Sequence, residues 1–248
     1  MHRRPSGLST PRVQCCSQAR VGGLRAMGRS QDLVIFGTGQ IGELAKYYFE
    51  ADTEFRPVAF TVDGEFVDEA NFMGLPVLPF DELGEAFRPF DAALFVAVGY
   101  SGLNRNRRRI FDEATRLGYS LPSYVSSKAT IFPDLSSCRN CLILEDNTIQ
   151  PRVVVGDDVF LWSGNHIGHH SVIEDHCYIA SQVVVSGNCR IGEASFIGVN
   201  ATLHDGVTVG AGSVIAAGAL IKRDVEPGSV MTAASARLSD RKASELDL

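Results

Sequence analysis

From residue 143 onward, every sixth position is aliphatic: Ile143, Ile149, Val155, Leu161, Ile167, Ile173, Ile179, Val185, Ile191, Ile197, Leu203, Val209, Ile215 and Ile221. That is fourteen consecutive matches without an insertion. If about a third of residues are aliphatic, chance gives such a run on the order of one time in several million for a chosen phase. The position two before each match is small or medium, including Cys141, Asn147, Asn165, Ser171, Cys177, Cys189, Ser195 and Ser213. Glycine often follows the match, at Gly156, Gly168, Gly192, Gly198 and Gly210. A period of six fits neither the periodicity of an α-helix nor a simple alternating strand. It fits short strands joined by sharp turns, three to a coil, so that the chain closes one triangular layer every three hexads. The aliphatic residue then points inward, the small residue fills the crowded interior, and glycine supplies the turns. Stacking buries a core that no single coil can bury. Ala129, Ile131 and Leu135 keep the phase less strictly, which places the start near Tyr124.

The repeat also gives the cysteines a place. Cys138 and Cys141 form a lone C-x-x-C, a spacing used by metals and redox pairs. Cys141, Cys177 and Cys189, however, all fall in the small inward slot and are expected as buried filler, without disulfides, in a reducing cytoplasm. Asn147 and Asn165 share that slot one full coil apart and are expected to stack inside the prism.

Ahead of the repeat, Leu33 to Gly42 reads as a strand running into Gly37-Thr38-Gly39-Gln40-Ile41-Gly42. A helical run to Ala51, a strand from Val58 to Val62, and Asp63 follow. A glycine turn between strand and helix, with an acidic residue about 20 positions beyond it, suits a phosphate at a helix N-terminus. Ala92 to Val98 reads as a later buried strand, with Gly99 and Tyr100 at its carboxyl end. Arg105, Arg107, Arg108 and Arg109 open the next helix; one or two are expected to meet phosphates and the rest to form a solvated face. The unit is short for a complete dinucleotide fold. The nucleotide portion of a substrate therefore fits Gly37, Gly39, Gln40, Ile41, Asp63 and Tyr100 better than a redox cofactor does; a purely structural role is the alternative.

The formal net charge of -6 and the sequence pI near 5.5 disfavour nucleic acid or an anionic membrane as partner. No apolar run approaches the roughly 18 residues that a membrane helix needs. Residues 1–31 hold six arginines and no acidic residue; an organelle transit peptide is one reading, but a disordered upstream extension with Met27 as initiator is the expectation, and the segment plays no part in the fold reading. The expected organisation is an extension over 1–30, a Rossmann-like α/β domain over 31–122, an all-β parallel helix over 123–230 and a tail over 231–248.

The segments GTGQIG at 37–42, SGNHIGHHSVIED at 163–175, SGN at 186–188 and GAGSVIAAGALIKRDVEPGSV at 210–230 resemble the bacterial sugar O- and N-acyltransferases of the hexapeptide-repeat superfamily. The resemblance covers residues 33 to about 230. It implies a left-handed prism, a cytoplasmic homotrimer, acetyl-CoA as co-substrate without a metal, and a nucleotide-linked sugar as acceptor. It implies that His169 is the general base and that the Gly187 amide faces the thioester carbonyl. The spacing agrees: three hexads separate His169 from Gly187, which puts them at one corner of adjacent coils, about 5 Å apart. The resemblance further implies coenzyme contacts at Gly187, near Gly198, from Ala216 to Gly218, and at Lys222 and Arg223, whose alternative is ordinary exposed charge; His166 reads as an acceptor contact, with a surface histidine as the alternative.

The chain departs from the family pattern twice. His170 stands where the family has an acidic residue that orients the base, which leaves Glu145, Asp175 or another subunit's carboxylate for that task, or no orienting group at all. Thr232 to Ala236 replaces the usual glycine-asparagine-proline-alanine. Five histidines in the prism also raise a zinc-dependent carbonic anhydrase-like reading. Their hexad phases differ, which argues against a metal. A catalytically silent, nucleotide-binding trimeric scaffold is the non-enzymatic alternative.

Overall fold

The computed structural model describes residues 31–236. The front unit is a five-stranded sheet in the order β3-β4-β2-β1-β5. Its strands are β1 (Gln31–Phe36), β2 (Phe55–Val62), β3 (Asn71–Phe72), β4 (Leu75–Pro79) and β5 (Ala92–Val96). All pairs are parallel except β3 with β4. The helices are α1 (Gln40–Asp52), the single-turn α2 (Leu83–Ala86) and α3 (Arg105–Leu117). β5 is buried at every position, as its unbroken apolar run requires for a strand covered on both faces.

The glycine turn divides its work among three residues. Gly37 has φ +118°, which disfavours any side chain. A Cβ on Gly42 would stand 2.0 Å from the Gly37 carbonyl oxygen, so bare backbone sets how closely α1 packs on β1. Gly39 precedes α1 with open space around it. Because β1 lies between β2 and β5, the strand order reverses at this turn.

From Tyr124 the chain winds as a three-faced parallel prism. Face one carries Tyr124–Val125, Leu142–Ile143, Phe160–Leu161, Tyr178–Ile179, Phe196–Ile197, Val214–Ile215 and Val230–Met231. Face two runs from Thr130–Ile131 through His166–Ile167 and Val184–Val185 to Leu220–Ile221, and face three from Val154–Val155 to Thr208–Val209. Paired strands are three hexads apart, as in Phe160 with Tyr178 and Tyr178 with Phe196. The aliphatic matches from Ile143 to Ile221 form one buried core.

Two physical readings from sequence need correction. The glycines that follow the inward residue are there for space. A Cβ on Gly156, Gly168, Gly192, Gly198 or Gly210 would lie 2.2 to 2.5 Å from the next coil. Positive φ falls two positions later, at residues such as Arg152, Asp158, His170, His176, Gln182 and Asn188.

The inward cysteines are also more than filler. Cys141, Cys177 and Cys189 each donate Sγ–H to the carbonyl fifteen residues on, at 3.2 Å, as Ser171 and Ser195 do with their hydroxyls. The slot thus asks for a small donor, and thiol and hydroxyl both serve. Burial pushes the Cys177 thiol up to about 12, which keeps it protonated. Asn165 extends the scheme, accepting the Val183 amide at 2.8 Å across the coil, while the Asn147 amide donates to Leu144 and Trp162 carbonyls.

The front unit rests on face one. Phe95 of β5 stacks on Phe160 at 6.2 Å, and Tyr124, Leu142, Phe160 and Tyr178 share a core with Leu33, Ile35, Phe49 and Phe60. A buried polar latch completes the joint. Arg107 of α3 is fully buried rather than on a solvated face. It donates to Asp158 at 3.0 Å and to the His176 carbonyl at 2.9 Å, and stands 4.3 Å from the Phe160 ring centre. Asp158 also meets Asn140 Nδ2 at 2.7 Å and His176 Nδ1 at 2.9 Å. The Asn140 carboxamide in turn pairs with both backbone groups of Val96, at the end of β5. The expectations for residues 1–30 and for most of the tail lie outside the described residues.

Candidate functional site

Face two and face three meet at an edge built from the turns at 150–153, 168–171, 186–189 and 204–207. The register puts His169, Gly187 and Asp205 in one column there, each one coil from the next. The His169 ring lies against Gly187: a Cβ on that glycine would stand 2.6 Å from Cε1 and 2.9 Å from Nε2. The same point is 3.0 Å from an Asp205 carboxylate oxygen. Asn188 donates its amide to the His169 carbonyl at 2.8 Å, tying the two coils together. The Gly187 N–H has no acceptor among the described residues. One exposed imidazole and one unused peptide N–H therefore share an edge, the pairing that the spacing predicts.

Gly187→Ala tests this directly. Its methyl would overlap the His169 ring and displace it. We expect about a 10-fold or greater fall in transfer rate, because small misplacements of reacting groups are costly, with little change in melting temperature. A rate unchanged by the substitution, measured by release of free thiol, overturns the arrangement.

His169 is held from below by Gln150, whose Oε1 accepts its backbone N–H at 2.9 Å. Its Nδ1 lies 3.1 Å from Nδ1 of His170, with the rings nearly perpendicular at 83°. The carboxylates considered from sequence are engaged on other edges. Glu145 accepts from Tyr48 Oη at 3.1 Å, and Asp175 accepts the Asp157 amide at 2.8 Å. Among the described residues, no three His, Cys, Asp or Glu side chains gather as a metal-ligand group.

The remaining candidates divide between places. His166 points outward from face two, half-buried, between Thr148 and Val184. Lys222 and Arg223 lie exposed on the His169 edge, and neither joins an ion pair among the described residues. Gly198, Ala216 and Gly218 lie on the other edge of face two. Their own N–H groups are spent on the carbonyls of Ile215, Met231 and Val199, each at 2.8 Å. Among the described residues, the unused amides there belong to Val199 and to Ala217, which lies between Ala216 and Gly218.

In the front unit, Gly37, Gly39, Gln40, Ile41 and Tyr100 gather at the carboxyl edge of the sheet, where parallel sheets take ligands. Ile41 Cδ1 approaches the Gly99 backbone, and Tyr100 leans on Tyr178 and Phe196 of face one at 5.0 and 4.9 Å. Asp63 is ion-paired with Arg109 at the end of β2, beside a cleft of about 560 Å³. Arg105 is bonded to the Gly102 carbonyl, and Arg108 pairs with Glu193 of the prism. Sequence reasoning missed Asn104, Asp158 and His176 as partners of Arg107, and Asn140 as a further partner of Asp158. The clue was present: Asp158 and His176 are polar residues one coil apart at the same turn position.

Comparison with known proteins places these features. The bacterial transferase hexapeptide model (six repeats) matches residues 152–187 and 188–223. A UDP-N-acetylglucosamine O-acyltransferase from Helicobacter pylori, which uses acyl-[acyl-carrier-protein], is 32% identical over 76 residues, covering 31% of this chain and 28% of that protein. Its counterpart in Stutzerimonas stutzeri is 27% identical over 97 residues, 38% of each chain. The chain thus spans about a third of the length of these curated relatives. Over far more of the fold it matches the acetyltransferase domain of PglB from Neisseria gonorrhoeae. That match has a TM-score of 0.71 and 28% identity, and covers 81% of this chain and 95% of that one. The same domain in complex with acetyl coenzyme A matches equally, at 27% identity. PerB from Caulobacter crescentus, in complex with CoA and GDP-perosamine, shares the fold at a TM-score of 0.70 and 24% identity.

Proposed function

We infer that this hexapeptide-repeat protein is an acetyl-CoA-dependent acetyltransferase acting on an amino or hydroxyl group of a nucleotide-linked sugar. One observation carries the reading: the His169 imidazole lies against Gly187, whose amide has no partner among the described residues. The acceptor nitrogen or oxygen attacks the thioester carbonyl carbon, and His169 Nε2 takes its proton. The oxyanion that forms is stabilised by the Gly187 N–H, whose position is fixed by the coil. When the carbon–sulfur bond breaks, the proton passes to the leaving thiolate, giving the acetylated sugar and free coenzyme A. No covalent enzyme intermediate is needed. The likeness to an acetyltransferase domain solved with acetyl coenzyme A supports the donor.

The Rossmann-like reading of the front unit over 31–122 and the left-handed winding of 123–230 belong to the same proposal. So does the homotrimer, for a geometric reason. The front unit covers face one, whereas His169 stands on the edge opposite that face. A sugar nucleotide held at Gly37 to Ile41 and Tyr100 therefore meets His169 of a neighbouring copy more readily than that of its own chain. No described helix is long and apolar enough to cross a membrane, and we place the protein in the cytoplasm on the strength of the nucleotide-sugar substrate.

The test is incubation of the full chain with acetyl-CoA and a panel of UDP-, GDP- and dTDP-linked amino sugars. Thiol release and mass spectrometry are the readouts. A mass gain of one acetyl group on one of these sugars is expected; no thiol release above the background with any of them overturns the assignment.

A further inference from the structure

We propose that His170 is the positioning residue for His169, holding it in the tautomer that leaves Nε2 free to accept a proton. The inference rests on the transferase reading for its catalytic consequence, but its geometry stands independently. The two Nδ1 atoms lie 3.1 Å apart, a hydrogen-bond distance at which one nitrogen must donate and the other accept. If His169 Nδ1 donates, its lone pair is at Nε2, which together with Cε1 lies beside Gly187. His170 then carries its own proton on Nε2 and accepts through Nδ1. The reverse assignment would put the His169 proton on Nε2, where it could receive nothing. A histidine's second nitrogen fixes what the first can do.

Other partners for that nitrogen are absent or engaged. Among the described residues, His170 is the only hydrogen-bond partner of the His169 side chain. Glu145 and Asp175 belong to other edges. Among the described residues, Asp205 forms neither a hydrogen bond nor an ion pair with the His169 ring. His170 is also placed by its backbone. It has φ +59°, the left-handed conformation that recurs through Arg152 before it and Asn188 after it in the same column. A β-carbon normally makes that conformation costly, so the stacked register is what presents the ring to His169. A second imidazole, unlike a carboxylate, brings no negative charge to the pair. The imidazolium formed during transfer is then stabilised by an N–H···N bond to a neutral ring instead of by a full negative charge.

The experiment is long-range ¹H–¹⁵N correlation on ¹⁵N-histidine-labelled full-length protein at about pH 8, where histidines are mostly neutral. His169→Ala supplies the assignment. We expect wild-type His169 to carry its proton on Nδ1, and to revert to the Nε2–H form common in free histidine when His170→Ala is introduced. In parallel, His170→Ala should lower kcat about 10-fold with an unchanged KM for acetyl-CoA, and His170→Asp should restore most of it, since a carboxylate can accept the same bond. A wild-type His169 protonated on Nε2, or a tautomer or kcat that His170→Ala leaves unchanged, overturns the proposal. If the tautomer behaves as expected and no acceptor is turned over, the positioning stands and the transferase reading falls.

Discussion

His169→Ala lowers kcat at least about 100-fold and leaves acetyl-CoA affinity within a factor of about two, because loss of a general base removes proton transfer without removing donor contacts. The side chain is exposed and makes no contribution to the prism core, so the variant should fold and melt as the parent does. That separation makes the experiment decisive. Isothermal titration with acetyl-CoA reports whether the donor groove is intact, and thiol release reports the chemistry. A variant that binds the donor and turns over at the parental rate would remove His169 from the mechanism. One that loses binding and rate together would mean that the ring shapes the donor site instead.

The second large effect concerns stability. Asp158→Ala should cost about 3–5 kcal/mol, because it leaves the Arg107 guanidinium buried without its counter-charge. Both side chains are completely buried, and Asn140 and His176 lose a partner in the same step. The damage should be local to the joint between the front unit and face one. Chemical denaturation of the parent and the variant measures the cost. A loss below about 1 kcal/mol would show that the latch is dispensable. Replacing Arg107 and Asp158 together with methionine and leucine should recover much of the loss, since a buried ion pair often exchanges with apolar groups of similar volume at little net cost.

What the sequence makes legible follows from periodicity. Inward aliphatics at a fixed spacing determine both the coil length and which side chains share an edge, so Tyr124 as the start and His169 beside Gly187 could be read without coordinates. The fate of the turn amides could not. Gly198, Ala216 and Gly218 look free because they sit in turns, yet each donates to a carbonyl of another coil. Hydrogen-bond direction in a turn depends on φ at each residue, which composition does not report. Arg107 was illegible for another reason. Within a run of arginines nothing local distinguishes the one whose helical position points at the prism from neighbours that reach Gly102, Glu193 or Asp63. The partner of His169 was sought among acids, by analogy of charge, while the side chain within hydrogen-bond distance is the adjacent His170 ring.

The bare glycines between coils have a consequence for how such a protein can diversify. Where backbone rests on backbone, as at Gly168 against Ser186 and Gly187, the layer spacing is independent of side-chain size. The separation of imidazole and amide is thereby a constant of the scaffold. Residues of the α/β cap or along the outer faces can change while the imidazole and the amide keep their separation.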